Sequence, residues 1–372
     1  MLTTKPNKIA VCGAGVVGRL LSLVLHKMGF DVTLFEKGKS SGEDSASFYA
    51  AGMISPFSEL EFGSERVFNF GVESLSLWGN LLKYLNLEDV FYSKAGTQWF
   101  VPVGDTPAFL NLMRKKSFLQ KKNTISHEFK VQRKSETVFH VAGEAQIDVR
   151  DFFRLSEKTL LKHVDFRTEE KVSFLVNSSQ SGFLKTNNGI EKFDLIFDTL
   201  GMGSQVQKLR GVMGEVIFMT AKDIQMNCPV RVFSGRTPIY IAPKKNGQFV
   251  VGATVVEGYD NAKTTVEGVH ELLSALIAYD SMFSSGEITE IKSALRPSFS
   301  SGSPEVTYSD KVIHINGMYR HGYLTSPAII NSVVKKVFKK DIFNNIQEKN
   351  DENYLKWKGT RDGASSHFIA VP

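Results

Sequence analysis

The chain has 372 residues, 42% of them apolar, and a mean hydropathy of −0.13, which suits a water-soluble protein of one large or two interleaved domains. Its two cysteines, Cys12 and Cys228, are too few for a disulfide scaffold or a cysteine-rich metal site, and no apolar run is long enough to span a bilayer. The net charge of +6 gathers partly at residues 114–122 (RKKSFLQKK) and 335–340 (KKVFKK). These clusters read either as solvated helix faces or as attraction for anions; no nucleic-acid module accompanies them, so nucleic acid is not the expected partner.

Residues 8–12 (KIAVC) read as a short buried strand. Residues 14–28 follow with helical periodicity, Val17, Leu20, Leu21, Val24, Leu25 and Met28 sharing one face, and Gly29 closes the helix as a C-cap would. Residues 31–36 (DVTLFE) give a second strand and complete a βαβ unit, the crossover a parallel sheet requires. Further along, helices are expected at 68–85, 107–121, 148–163 and 264–279. Strands are expected at 96–102, 194–200 (DLIFDTL), 214–219, 238–243, 248–253 and 311–316 (KVIHIN). A glycine-flanked loop, GMYRHG at 317–322, then leads to a helix. Ser326 looks like its N-cap and Pro327 its first turn, with four lysines, Lys335, Lys336, Lys339 and Lys340, at its far end. The residues before the first strand offer no leader sequence, which makes the cytoplasm the default location. Residues 344–372 read as a polar, peripheral tail. The order predicts an α/β fold whose sheet is completed by distant parts of the chain, with a second domain inserted.

The chemistry concentrates in Gly13-Ala14-Gly15-Val16-Val17-Gly18, a G-x-G-x-x-G between a strand and a helix. Gly13 permits the tight turn, Gly15 the approach of a pyrophosphate, and Gly18 close helix–strand packing. The helix N-terminus offers unpaired N–H groups to the phosphates. Glu36, followed by Lys37, ends the second strand where an acidic residue accepts hydrogen bonds from ribose hydroxyls, against an NADP 2′-phosphate. The glycine motif occurs once, which favours a flavin without a separate nicotinamide domain. The eight histidines form no metal-binding pair and no G-x-S-x-G is present, so neither a metal nor a serine nucleophile is expected.

Seven segments in order, GAGVVG (13–18), LFEKG (34–38), YAAGMISP (49–56), RGVMGEV (210–216), YIAPKKNGQFVVGATVVEG (240–258), ALRP (294–297) and GMYRHGYLTSP (317–327), resemble the D-amino-acid oxidase superfamily of flavoproteins, and within it the glycine oxidase branch associated with thiamin biosynthesis. The resemblance implies a Rossmann-like FAD-binding domain of glutathione-reductase type with an inserted antiparallel-sheet substrate domain. It places the FAD part at 1–85, 146–207 and 296–343, and the substrate part at 86–145 and 208–295. It implies non-covalent FAD, with Ser47, Ala51, Gly52 and Met53 along the flavin, Val172 at the adenine end and Gly201 near the pyrophosphate. Gly317, Tyr319, Arg320, His321, Gly322, Tyr323 and Leu324 would lie at the flavin edge. Arg296 and Tyr240 would hold a substrate carboxylate, and Arg320 would lie beside the substrate.

A guanidinium matches a carboxylate in a planar fork, which agrees with that role for Arg296. A structural salt bridge for Arg296, a core role for Tyr240 and core filling by Met53 are the alternatives. The implied activity is oxidation of a small amino acid or secondary amine, with O2 as acceptor. A larger target, such as a modified tRNA base or a peptide-bound amine, is the alternative, and a homo-oligomer is compatible with the sequence. The segment after ALRP, residues 298–305 (SFSSGSPE), departs from the branch, notably at the bulky Phe299.

Overall fold

The computed structural model describes residues 6–340 apart from 62, 112–126, 134–135, 175–181, 234–237, 259–260 and 310. Most of the helix expected at 107–121, the basic cluster at 114–122 and the tail at 344–372 lie outside the described residues.

Lys8–Cys12 is a strand and pairs in parallel with Asp31–Phe35 on one side and Leu195–Asp198 on the other. Asp165–Arg167 extends the parallel sheet beyond Asp31–Phe35, and Val312–Asn316 extends it beyond Leu195–Asp198. Glu305–Tyr308 closes that edge as an antiparallel sixth strand. Both faces are covered, so the strands read as nearly continuous apolar runs. Ile9, Val11, Val32, Leu34, Phe197 and Ile313 point into one core with the helices Val16–Lys27, Glu65–Tyr84, Val149–His163 and Gly322–Phe338. Their neighbours Ala10, Cys12, Phe35 and Ile196 point the other way, against Val172, Leu184 and Phe193. Leu184 belongs to a small three-stranded antiparallel sheet, Ser173–Phe174, Phe183–Thr186 and Gly189–Lys192, which the sequence reading did not anticipate. Its signal was present: Asn187-Asn188-Gly189 is a turn between two short strand-forming runs.

A second large sheet of eight strands carries Arg210–Thr220 and the 12-residue Glu287–Ser298 at one side. Its pairings are antiparallel except for that of Val230–Val232 with Thr97–Pro102. Glu287–Ser298 was missed because its charged residues interrupt any apolar run. The helix Val266–Tyr279 covers one face through Leu272 and Leu276, on Ile217, Met219, Ile241 and Val251. On the opposite face, the alternating residues Val216, Phe218 and Val250 meet Tyr49, Ala51 and Met53. That second contact sets the segment 49–53 against the eight-stranded sheet, beside a cleft.

The C-terminal helix corrects one expectation. It begins at Gly322, with His321 as N-cap, so Ser326 and Pro327 lie inside it and not at its start. Ser326 Oγ donates back to the Gly322 carbonyl, an interior use of serine. Proline lacks the N–H that would bond to Tyr323 O. The indole N–H of Trp78 takes that carbonyl instead, at 2.8 Å.

Candidate active site

The first glycine turn is built by contacts that leave no room for side chains. Gly13 has φ +98°, and a Cβ there would sit 2.7 Å from Thr199 O. A Cβ on Gly18 would sit 1.9 Å from Gly13 O. The turn therefore packs tightly on Thr199, whose hydroxyl donates to the carbonyls of Cys12 and Gly13 at 2.9 Å. The helix that follows has no side-chain cap on Gly15 and no acidic residue in its first turn. Val16 N–H meets Ser47 Oγ at 3.3 Å. Glu36 faces this turn, accepting from Ala14 N–H at 2.7 Å and Gly38 N–H at 3.1 Å.

The far end of the cleft repeats the device. The helix at Gly322 also lacks a side-chain cap and an acidic first turn. Gly317 has φ +73°, and a Cβ there would meet the Phe299 ring at 2.2 Å. The bulky Phe299 thus fills the space beside a glycine and stays out of the cleft wall. Tyr319 N–H donates to Pro297 O at 2.7 Å, tying this loop to the ALRP segment. Asn316 Nδ2 donates to Gly201 O at 2.9 Å and ties it to the turn at Gly201. Two bare helix starts thus open onto one elongated cleft, each suited to negative charge.

Most of the expected residues share the walls of this cleft: Gly13, Gly15, Val16, Val17, Glu36, Lys37, Ser47, Ala51, Gly52, Met53, Gly201, Tyr240, Arg296, Tyr319, Arg320, His321, Gly322, Tyr323 and Leu324. Ala14, Gly18 and Gly317 lie outside the lining and act through backbone packing. Val172 is set apart, its side chain buried in the core behind Phe35.

Arg296 extends from Glu287–Ser298 over Gly214, where a Cβ would clash with its guanidinium at 1.9 Å. Its Nη1 donates to Thr254 O at 3.1 Å, and among the described residues no carboxylate lies within ion-pair distance. Burial lowers its pKa, with Tyr240 opposing that shift. Burial raises the pKa of the Tyr240 phenol, which stays a neutral donor. The salt-bridge alternative for Arg296 therefore has no protein partner among the described residues.

Arg320 lines the cleft and is engaged there by a protein carboxylate. Its Nε and Nη2 hold both oxygens of Glu59, at 3.0 and 3.3 Å. Arg231 Nη1 takes Glu59 Oε1 from the eight-stranded sheet. Burial works to raise the pKa of Glu59, yet Arg320 and Arg231 hold it far below the ordinary carboxylate range. Burial works against the charge on Arg320, and Glu59 outweighs it and lifts that pKa. His321 Nδ1 lies 3.6 Å from Glu59 Oε2, beyond hydrogen-bond range. Burial pushes its pKa down to about 4 despite Glu59, so at neutral pH the ring is uncharged. Glu59 escaped the sequence reading. It is a single acid in the short helix Ser58–Glu61, and no local spacing links it to Arg231 or Arg320.

Among the described residues no helix is long and apolar enough to cross a membrane, and no three acidic, histidine or cysteine side chains form a metal-binding group. A family model described as FAD dependent oxidoreductase matches residues 8–331. The provisionally named thiamine biosynthesis oxidoreductase ThiO of Rhizobium etli is 28% identical over 335 residues, covering 89% of this chain and 96% of that protein. The glycine oxidase of Geobacillus kaustophilus superposes with a TM-score of 0.76 at 21% identity, over 92% of this chain and 99% of its own. The iminodiacetate oxidase of Chelativorans sp. BNC1 does so at 0.74 and 17% identity, over 93% and 98%. The two structural likenesses are of fold.

Proposed function

The chain belongs to the FAD dependent oxidoreductase family, and on that premise we propose that it oxidises a small amino acid or secondary amine at the carbon between its nitrogen and its carboxylate. The carrying observation is Arg296, a guanidinium in the cleft wall whose hydrogen bond goes to a backbone carbonyl and not to a protein carboxylate. A charge so placed is costly without an anionic partner, and a substrate carboxylate supplies one.

The residues present fit FAD. Gly13–Gly18 and the bare helix start at Val16 would hold the pyrophosphate, with Glu36 on a ribose. The helix start at Gly322 would face the pyrimidine edge of the ring system. Neither Cys12 nor Cys228 lines the cleft, which supports non-covalent binding. We assign residues 1–85, 146–207 and 296–343 to the cofactor part and 86–145 and 208–295 to the substrate part. When bound, FAD would supply the acceptor for the hydride leaving the substrate α-carbon; the imine would take up water to give an oxo acid and ammonia, or the primary amine when the substrate nitrogen is secondary, and O2 would carry the electrons away as hydrogen peroxide.

The work of the chain itself is placement. Arg296 takes the carboxylate in its fork, and the neutral Tyr240 hydroxyl donates to the same group. Together they fix the direction of the α-carbon. Arg320, anchored by Glu59, gives this end of the cleft a fixed wall and not a second mobile clamp. The uncharged His321 adds no positive charge that would repel a protonated amine.

The reading is tested by mixing the FAD-loaded protein anaerobically with glycine, sarcosine, proline and a set of D-amino acids while following the flavin absorbance. Bleaching by at least one of them, and hydrogen peroxide on readmitting air, is the expected result. A flavin that stays oxidised with all of them overturns the proposal.

A further inference from the structure

The strand Arg210–Thr220 is apolar along most of its length, yet Glu215 interrupts it and is fully buried. A carboxylate in that position must be matched by donors. Thr254 Oγ1 donates to Glu215 Oε2 at 2.9 Å, and Thr265 Oγ1 donates to Oε1 at 3.1 Å, joined there by the Thr265 backbone N–H. Thr265 is the N-cap of the helix Val266–Tyr279, so the acid also lies at the positive end of a helix. Gly268 completes the socket, since a Cβ there would lie 1.7 Å from Glu215 Oε2.

The socket grips Thr254 from several directions. Glu215 N–H donates to Thr254 Oγ1 at 2.9 Å, and Thr254 N–H donates to Glu215 O at 3.3 Å. The carbonyl of Thr254 is the acceptor of Arg296 Nη1 at 3.1 Å. The residue before Glu215 is Gly214, whose missing side chain makes room for the Arg296 guanidinium. One dipeptide, Gly214-Glu215, therefore both clears the space for the guanidinium and fixes the acceptor that orients it. Glu215 is absent from the cleft wall, so it cannot touch a ligand there.

We propose that Glu215 is a positioning residue for substrate recognition, setting the aim of the Arg296 fork through Thr254. This rests on the reading of Arg296 as the carboxylate clamp. Without the latch the guanidinium keeps its charge and loses its direction, so carboxylate affinity falls while the intrinsic rate at saturation holds.

The experiment uses FAD-loaded wild type, Glu215→Gln, Thr254→Val and the double variant. Glycolate and acetate, carboxylates of glycine's size without its amine, are titrated against the flavin absorbance to give Kd, and KM and kcat are measured with the best substrate. Glu215→Gln keeps the shape but turns one acceptor into a donor facing threonine donors. It is expected to raise Kd and KM about tenfold, the scale of one hydrogen bond to a charged group, with kcat within about twofold. Thr254→Val should do the same and the double variant no more, because the two act as one unit. Should Glu215→Gln fail to fold, Thr254→Val carries the test. A lowered Tm with unchanged Kd in either variant overturns the proposal in favour of a purely structural socket. Wild-type protein that binds neither carboxylate overturns the clamp reading and this one together; wild-type binding that neither variant alters overturns this one alone.

Discussion

Arg320 and Glu59 meet in a two-pronged pair across 261 residues of chain, and Arg231 shares the same carboxylate from the second sheet. The sharing makes Glu59 a cross-link between the 317–322 loop and the eight-stranded sheet at the cleft. Glu59→Gln would leave Arg231, almost wholly buried, facing a neutral amide. The expected loss is about 3 kcal/mol of folding stability, the scale of breaking one side of a buried ion pair. Urea unfolding of the two holoproteins checks it, and a difference below about 1 kcal/mol would count against the cross-link.

His321 gives the stability a pH dependence of known sign. Its pKa falls from an ordinary 6.5 to about 4 in the folded protein, mainly through burial. Between those values the unfolded chain binds a proton that the folded one refuses, so stability is complete above pH 6.5 and drains away as the pH falls toward 4. The contribution is of order 3 kcal/mol at full extent. His321→Gln should flatten the Tm-versus-pH curve in that window, while the loss tied to Glu59 protonation persists at lower pH. An unchanged slope in the variant would show that the ring does not titrate as described.

Trp78 supplies the hydrogen bond that Pro327 cannot. Trp78→Phe keeps the aromatic surface that stacks on Tyr323 but strands a buried carbonyl. A loss of about 1–3 kcal/mol is expected. Because the bond lies in the first turn of the helix proposed to face the flavin, FAD release on dilution should also quicken. A variant as stable as wild type would mean that water replaces the indole.

Gly15 separates cofactor binding from folding. A Cβ there would lie 3.3 Å from Ser47 Oγ, a contact the serine can yield to, and the backbone needs no positive φ. Gly15→Ala should therefore fold with a Tm close to that of FAD-free wild type, yet bind FAD at least tenfold more weakly, because the methyl occupies the approach to the helix start. Fluorescence titration of FAD into both proteins decides it, and equal affinities would move the phosphate site elsewhere.

Arg296→Leu removes the fork and fills its space with an apolar group. KM for the substrate should rise by a hundredfold or more, with FAD content unaffected. Steady-state kinetics at constant flavin loading measure it; an unchanged KM would mean that the carboxylate binds elsewhere.

What sequence could reveal here was local. Gly13 to Gly18 and Glu36 lie within one βαβ unit, and each signals its neighbours through short spacing. Arg296 was marked by the family resemblance of the ALRP segment, with which the chemistry of a guanidinium in an apolar setting agrees. Pro327 misled because proline favours the first helical turn; its interior place depends on Trp78, far back in the chain. Glu59 and Glu215 were silent for the same reason. Each is a lone acid whose meaning comes from arginines and threonines that only the fold brings near.

The two unguarded helix beginnings at Val16 and Gly322 carry a consequence for the life of the protein in a cell. Each turns the positive end of a helix toward the cleft, and at the first of them Ser47 and Glu36 answer only part of it from within the chain. A dinucleotide that binds only the folded form relieves both ends at once and adds stability in proportion to the logarithm of its free concentration. Abundance would then follow cofactor supply, because the cofactor-free chain unfolds more often and is more open to proteolysis.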